Sequence, residues 1–311
     1  MERIKRTIMH IHTQQHTLTR AVSATGIGVH SGRQVNLTLK PAPVNHGIKF
    51  VRVDLPARPV IPAHFNHVVD TSNATVIGAE GAIVSTIEHL MACLTGMAVD
   101  NALVELDGYE MPIMDGSAGP FAEMIEETGL EAQAGPRCYF TVTEPIELHE
   151  NGKFVGLYPL SRFKLTYTIE YDHPLIQKQT RTFDGSPESF QREIARARTY
   201  GFLHEYEYLK RYGLAGGCSL DNVVVVSETG VVNDDGLRYE DEFVRHKILD
   251  CIGDLALLGM PVIGHLVVSK SGHAFNHTFL KAFFDNKSAW RTCTMHPTAD
   301  PQPEHPKSLA I

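Results

Sequence analysis

What is scarce in this 311-residue chain narrows its class first. Five cysteines (Cys93, Cys138, Cys218, Cys251 and Cys293) are odd in number and widely spaced, with no CxxC pair. That excludes a disulfide framework and fits reduced thiols in a cytosol. Basic charge is in deficit, 28 Lys and Arg against 36 Asp and Glu for a net charge of −8, so the footprint of a nucleic-acid binder or of attraction to an anionic membrane is absent. Long apolar runs are missing as well: Val223–Val226 and Leu255–Ile263 fall far short of the roughly 20 residues of a membrane helix. The segment Met1–Leu18 is polar, basic and His-rich, without the apolar block of a secretory signal. With 43% hydrophobic and 21% charged residues the composition is that of a globular protein, and this length typically divides into two domains. The expectation is a cytoplasmic, monomeric protein without a transmembrane segment.

Histidine is plentiful, at 17 copies. Those near the ends (His10, His12, His16, His296, His305) read as solvated tail residues, and those within periodic segments are candidates for metal binding or acid–base chemistry. From Ser23 the chain reads as strands: a Gly-punctuated turn over 25–32, then the alternating Val35–Lys40 and a stop at Pro41. A helix is expected from Ser85 to about Gly96, and a second from Pro120 to a stop at Gly129. Gly135-Pro136 marks a boundary. Beyond it the order recurs: Pro145–Pro159 echoes Gly26–Pro41, and a helix over about 240–258 echoes the one at Ser85, each with a His (His89, His246) and a Gly seven residues later. The pattern predicts an α+β fold of two similar sandwich halves, with ligands from both meeting at their interface. The expected divisions are an N-terminal extension over 1–18, domains over 19–136 and 137–294, and a tail over 295–311.

In the helix at 240–258, Val244, Ile248, Cys251, Ile252 and Leu255 form an apolar stripe. His246, Asp250 and Asp254 step by four along another side, where imidazole and carboxylate can reach one ion. By itself such a ridge reads as a solvated face, and Lys247 beside it as a surface charge. Ser85-Thr86-Ile87-Glu88 reads as a capping box, with His89 as a ligand and Glu88 as a base the functional alternative. Two His and one Asp would leave a fourth tetrahedral position open, as a catalytic zinc requires. Residues 271–277 read as a turn carrying His273 and His277.

Seven segments turn these separate signals into one: TGIGVHSG at 25–32, STIEHL at 85–90, PIMDGSAGPF at 112–121, ARTYGF at 197–202, NDDGLR at 233–238, HKILD at 246–250 and KSGHA at 270–274. In these segments, in register over about 19–290, the chain resembles the UDP-3-O-acyl-N-acetylglucosamine deacetylases, zinc enzymes of lipid A biosynthesis. The resemblance implies zinc on His89, His246 and Asp250, Glu88 as general base, His273 as general acid held by Asp254, and Thr199 as a hydroxyl donor to the oxyanion. It further implies Lys247 and Lys270 at the sugar and diphosphate, Tyr171 and Tyr200 at the uridine, and Glu205 at the nucleotide. Tyr206 and Cys218 would fall on the wall of an acyl-chain passage, an insert of the second half. Family members often carry a smaller aliphatic residue and a glycine there, so a preference for shorter acyl chains is expected. The implied partner is the UDP-3-O-acyl-N-acetylglucosamine substrate. A paralogous zinc amidohydrolase of another acylated amino sugar, or a non-catalytic nucleotide-sugar-binding regulator, are the alternatives; a regulator would be expected to lose Glu88 or His273, and both are present.

Overall fold

A computed structural model describes residues 12–294, the side chain of Glu207 excepted. Most of the N-terminal extension (1–11) and all of the C-terminal tail (295–311) therefore lie outside the described residues. The extension expected up to Leu18 is corrected at its end. Strand β1 (Gln14–Leu18) pairs antiparallel with a later strand and buries Leu18 completely, because Thr17 and Leu18 supply a buried hydroxyl and an aliphatic side chain to the core.

The chain continues through β2 (Val22–Ile27), β3 (Gln34–Pro41), β4 (Ile48–Arg52) and β5 (Val60–Pro62), then a meander of β6 (Val68–Asp70), β7 (Val76–Ala79) and β8 (Ala82–Val84). Helix α1 (Glu88–Gly96), β9 (Ala102–Leu106), α2 (Gly119–Thr128) and β10 (Leu130–Pro136) follow, β10 being the partner of β1. The rest comprises β11 (Cys138–Val142), β12 (Ile146–Glu150), β13 (Lys153–Tyr158), β14 (Phe163–Glu170), β15 (Lys178–Asp184), α3 (Pro187–Glu193), β16 (Tyr200–Phe202), α4 (Leu203–Arg211), β17 (Val224–Val226), α5 (Glu242–Leu255), β18 (Val262–Ser269), α6 (His273–Asp285) and β19 (Trp290–Thr294). Mixed sheets with segregated helices make this an α+β fold.

One sheet runs in the order β2-β3-β9-β4-β5, with β3 antiparallel and β4 parallel to β9. In the seven-stranded sheet, β13 is likewise antiparallel and β14 parallel to β18, with β12 outside β13 and β15 outside β14. Strand alternation drives the first sheet: Val35, Leu37 and Leu39 are buried, and Gln34 and Asn36 face out. Asn151-Gly152, both at positive φ (49° and 76°), close the β12–β13 hairpin as such a two-residue turn demands. Pro120 and Gly129 bound α2 as expected.

Helices α1 and α5 pack against each other. Gly253 makes this possible, since a Cβ there would stand 2.1 Å from the carbonyl oxygen of Glu88. Leu90 and Leu94 of α1 and Ile248 and Ile252 of α5 are buried, each such side chain contributing about 1.5–3 kcal/mol. Two expectations change here. Helix α1 begins at Glu88 rather than Ser85, because Thr86 is in the left-handed region (φ 61°) and Ser85 instead bridges Glu110, so no capping box forms. Residues 271–277 are not a turn: α6 starts at His273, behind the extended Gly272.

Candidate metal centre and active site

The side chains of His89, His246 and Asp250 converge: one ligand atom from each lies within 4.8 Å of the others, and all three residues are buried. Asp250 Oδ1 is 3.6 Å from His89 Nε2 and 3.3 Å from His246 Nε2, and it is a buried oxygen without a hydrogen-bond partner. The two rings stand edge-on, 5.0 Å between centroids at 87°. His246 Nδ1 donates to the Ala197 carbonyl at 3.0 Å, which fixes the tautomer and leaves the Nε2 lone pair facing the cluster. Burial pushes His246 down to about 3, keeping it neutral and able to coordinate. Burial disfavours the charged form of Asp250, but the neighbouring His246 imidazole and Lys247 ammonium hold it well below the usual carboxylate range. A deprotonated carboxylate oxygen lacking a donor, between two imidazole nitrogens, is the donor set of a divalent cation.

The ridge on α5 is therefore not a solvated face. His246, Asp250 and Asp254 are at most 5% exposed, covered by α1 and α6. Lys247 is no surface charge either: its Nζ donates to Asp250 Oδ2 at 2.7 Å and lies 5.6 Å from the centre of the Tyr200 ring.

A second network touches the first. Glu88 is buried, and burial raises its carboxyl above the ordinary range. Its Oε2 accepts from the Thr75 backbone N–H at 3.1 Å, and its Oε1 lies 3.7 Å from His273 Nε2. His273 Nδ1 stands 2.9 Å from Asp254 Oδ2. Burial alone would depress His273, but the Asp254 and Glu88 carboxylates overcome it and push the imidazole up to about 10. Asp254 is itself secured by Asn276 Nδ2 (2.8 Å) and the Thr75 hydroxyl (2.6 Å). Thr75 thus holds Glu88 through its backbone and Asp254 through its side chain. Thr75 and Asn276 are the residues that sequence reasoning missed. Asn276 sits one turn into α6, a spacing that could have flagged it; Thr75 lies in a loop with no motif.

The remaining motif residues build the support. Thr199 donates its N–H to the Gly116 carbonyl (2.8 Å), two residues beyond the carbonyl that holds His246, and its hydroxyl has no hydrogen-bond partner among the described residues. Arg198, buried, binds Glu242 and Asp235, while Arg238 binds Asp115 at 2.8 Å, tying segments 112–121, 197–202 and 233–238 together. Tyr171 and Tyr200 share a hydrogen bond between hydroxyls (2.9 Å), and the Tyr200 ring packs on His246 and Phe243. Lys270 pairs with Glu170 at the surface. Glu205 is exposed in the first turn of α4; Tyr206 carries Lys210 over its ring; Cys218 packs beside Val29, Ile113 and Val223. Among the described residues no hydrogen bond or ion pair links Lys270, Glu205, Tyr206 or Cys218 to the His89–His246–Asp250 cluster.

No helix of the described residues is long and apolar enough to cross a membrane. The sequence model described as UDP-3-O-acyl N-acetylglycosamine deacetylase matches residues 15–285. A UDP-3-O-acyl-N-acetylglucosamine deacetylase of Myxococcus xanthus is 50% identical over 277 residues, covering 89% of this chain and 88% of that protein. Proteins of the same name from Syntrophotalea carbinolica and Teredinibacter turnerae are 48% and 46% identical, over 89% and 90% of this chain and 90% and 93% of their own lengths. With the motifs, the buried His-His-Asp cluster and matches over nine-tenths of its length, the chain belongs to the UDP-3-O-acyl-N-acetylglucosamine deacetylase family.

Proposed function

We propose that this chain hydrolyses the N-acetyl group of UDP-3-O-acyl-N-acetylglucosamine, releasing acetate, as an early committed step of lipid A biosynthesis. The observation that carries this reading is the partnerless Asp250 Oδ1 between two imidazoles, with a carboxyl–imidazole–carboxylate chain beside it. The donor set fits zinc, held by His89, His246 and Asp250, and no thiolate is part of the group. Zinc, when bound, supplies a Lewis acid that brings the pKa of water to about 7 and polarises the amide carbonyl.

The chain's own residues do the rest. Glu88, ionised, takes a proton from the attacking water. His273, protonated, gives one to the departing amine, and Asp254 stabilises that imidazolium and aims it. The raised carboxyl of Glu88 and the imidazole near 10 suit these opposite states. The unpartnered Thr199 hydroxyl donates to the oxygen that gains charge as the carbonyl becomes tetrahedral. Lys247 and Lys270 meet the sugar and diphosphate, Tyr171 and Tyr200 pack the uridine, and Glu205 contacts the nucleotide. Tyr206 and Cys218 line the acyl passage.

The matching strand orders about β9 and β18 support an internal repeat, divided near 136, with the metal site between the halves. The enzyme acts as a monomer in the cytoplasm. The test is acetate release from UDP-3-O-acyl-N-acetylglucosamine. The reading predicts turnover that stops with chelator and returns with zinc; a metal-replete chain that releases no acetate would refute it.

A further inference from the structure

The molecule has a cavity of about 500 Å³ that shares no residue with the metal cluster or the Glu88–His273–Asp254 chain. Its walls include Met91 and Thr95 of α1 and Ile252 and Leu255 of α5. At 100° per residue, Met91 and Ile252 stand about 200° round their helices from His89 and Asp250. The cavity therefore lies behind the two helices that carry the ligands. It opens to the surface, and its volume falls within the range of ligand pockets.

The lining has one chemistry inside and another at the edge. Half-buried Ile48, Phe163 and Met260 give it apolar surface, over the buried side chains of Phe183 and Val262. Lys49, Arg162, His46 and His64 also line it. The Lys49 ammonium has no hydrogen-bond or ion-pair partner among the described residues, and the Arg162 guanidinium makes only a surface pair with Asp184. The single carboxylate in the lining, Asp100, is engaged by Arg137 at 2.7 Å. An apolar pocket edged by the unpaired Lys49 ammonium and by Arg162, whose one partner is a surface carboxylate, with no free carboxylate in its lining, complements a molecule with an apolar body and one negative head.

We propose that this cavity is a second binding site, for an anionic amphiphile whose carboxylate or phosphate head is met by Lys49 and Arg162. It is independent of the deacetylase reading, since neither Tyr206 nor Cys218 lines it.

Isothermal titration of the full-length, zinc-loaded chain tests it with four probes of one tail length: decanoate, decyl phosphate, decanol and decyltrimethylammonium, each kept below micelle formation. Decanoate, decyl phosphate or both should bind saturably, the better head group naming the source, with decanol weaker and the ammonium compound silent. Lys49→Glu with Arg162→Glu should weaken the anions by about tenfold or more, a loss of about 1.4 kcal/mol. Ile48→Trp, which fills the chamber, should abolish binding while acetate release continues. Tyr206→Ile should leave the affinity unchanged. The site is refuted if no probe binds, if the ammonium compound binds as well as decanoate, or if affinity follows Tyr206→Ile and ignores the Lys49 and Arg162 changes.

Discussion

The floor of the active site and helix α4, the proposed wall of the acyl passage, are built on opposite terms. On the floor, Asp254 accepts from three neighbours, Glu88 from the Thr75 backbone, and His246 is pinned by a carbonyl, all in buried surroundings. On α4, Leu203, Glu205 and Tyr208 are exposed, and half-buried Tyr206 carries Lys210 over its ring. Donors fixed in advance at a buried centre are what an amide transition state needs, because nothing must reorganise as charge develops. Exposed elements with few partners open locally at low cost, and that suits a surface which adapts to an acyl chain. Chemistry and specificity therefore answer to different kinds of substitution.

The sharpest way to break this contrast is at the metal ligands. His89→Ala, His246→Ala and Asp250→Ala should each lose bound metal and all measurable acetate release. Metal analysis beside the assay checks it, and a fully loaded Asp250→Ala protein would show that the ligand set is wrong.

Next in size are the proton carriers. His273→Ala should cost about 10²–10⁴ in rate with zinc retained. The wild-type rate should rise through the raised Glu88 range and fall as His273 deprotonates, an alkaline limb far above the ordinary imidazole value of 6.5. These limbs belong to the coupled pair. Stability of the metal-free chain follows the same sign. The folded imidazole, up at about 10, binds its proton more tightly than the unfolded one at 6.5. Its stabilisation is thus complete below pH 6.5 and is lost as pH climbs toward 10. Melting temperature against pH should fall across that window, and His273→Gln should flatten the fall; a slope unchanged in the variant would assign it elsewhere.

Thr75 sharpens the comparison from the supporting side. Removing its hydroxyl in Thr75→Val leaves Asp254 one donor short and should lower kcat by about 10–100-fold with KM little changed, as losses behind a metal site do. Thr75→Ser should restore it. Equal rates for the valine and serine variants would mean that the hydroxyl does not position His273.

The smallest effect belongs to the wall. Tyr206→Ile with Cys218→Gly removes volume worth about 1–3 kcal/mol where it crowds a chain, so the preferred acyl length should move up while zinc content stays fixed. An unchanged length profile would remove both residues from the passage.

Much of the floor was legible in the sequence, because spacing of four along α5 brings His246, Asp250 and Asp254 to one ridge whatever surrounds them. What covers that ridge was not legible. Whether a polar stripe meets water or a second helix depends on α1, far away in the chain, and on Gly253, which lets it approach. The capping box failed for a local reason, the left-handed Thr86, which a Ser-x-x-Glu pattern does not reveal. Thr75 escaped because a loop threonine has no periodicity, and its partners lie 13 and 179 residues along the chain. Segments 112–121, 197–202 and 233–238 stood out as motifs, yet most of their polar side chains act on one another, as Arg198 does with Asp235 and Arg238 with Asp115.

The central claim is that two imidazoles and one carboxylate from α1 and α5 hold a catalytic zinc without sulfur. X-ray absorption at the zinc edge of the active enzyme tests it most directly. The account predicts only nitrogen and oxygen neighbours at about 2.0–2.2 Å, two of them imidazoles, and loss of that signal in His246→Ala. A neighbour at about 2.3 Å, the distance of a thiolate, or an unchanged spectrum in the variant, would contradict it.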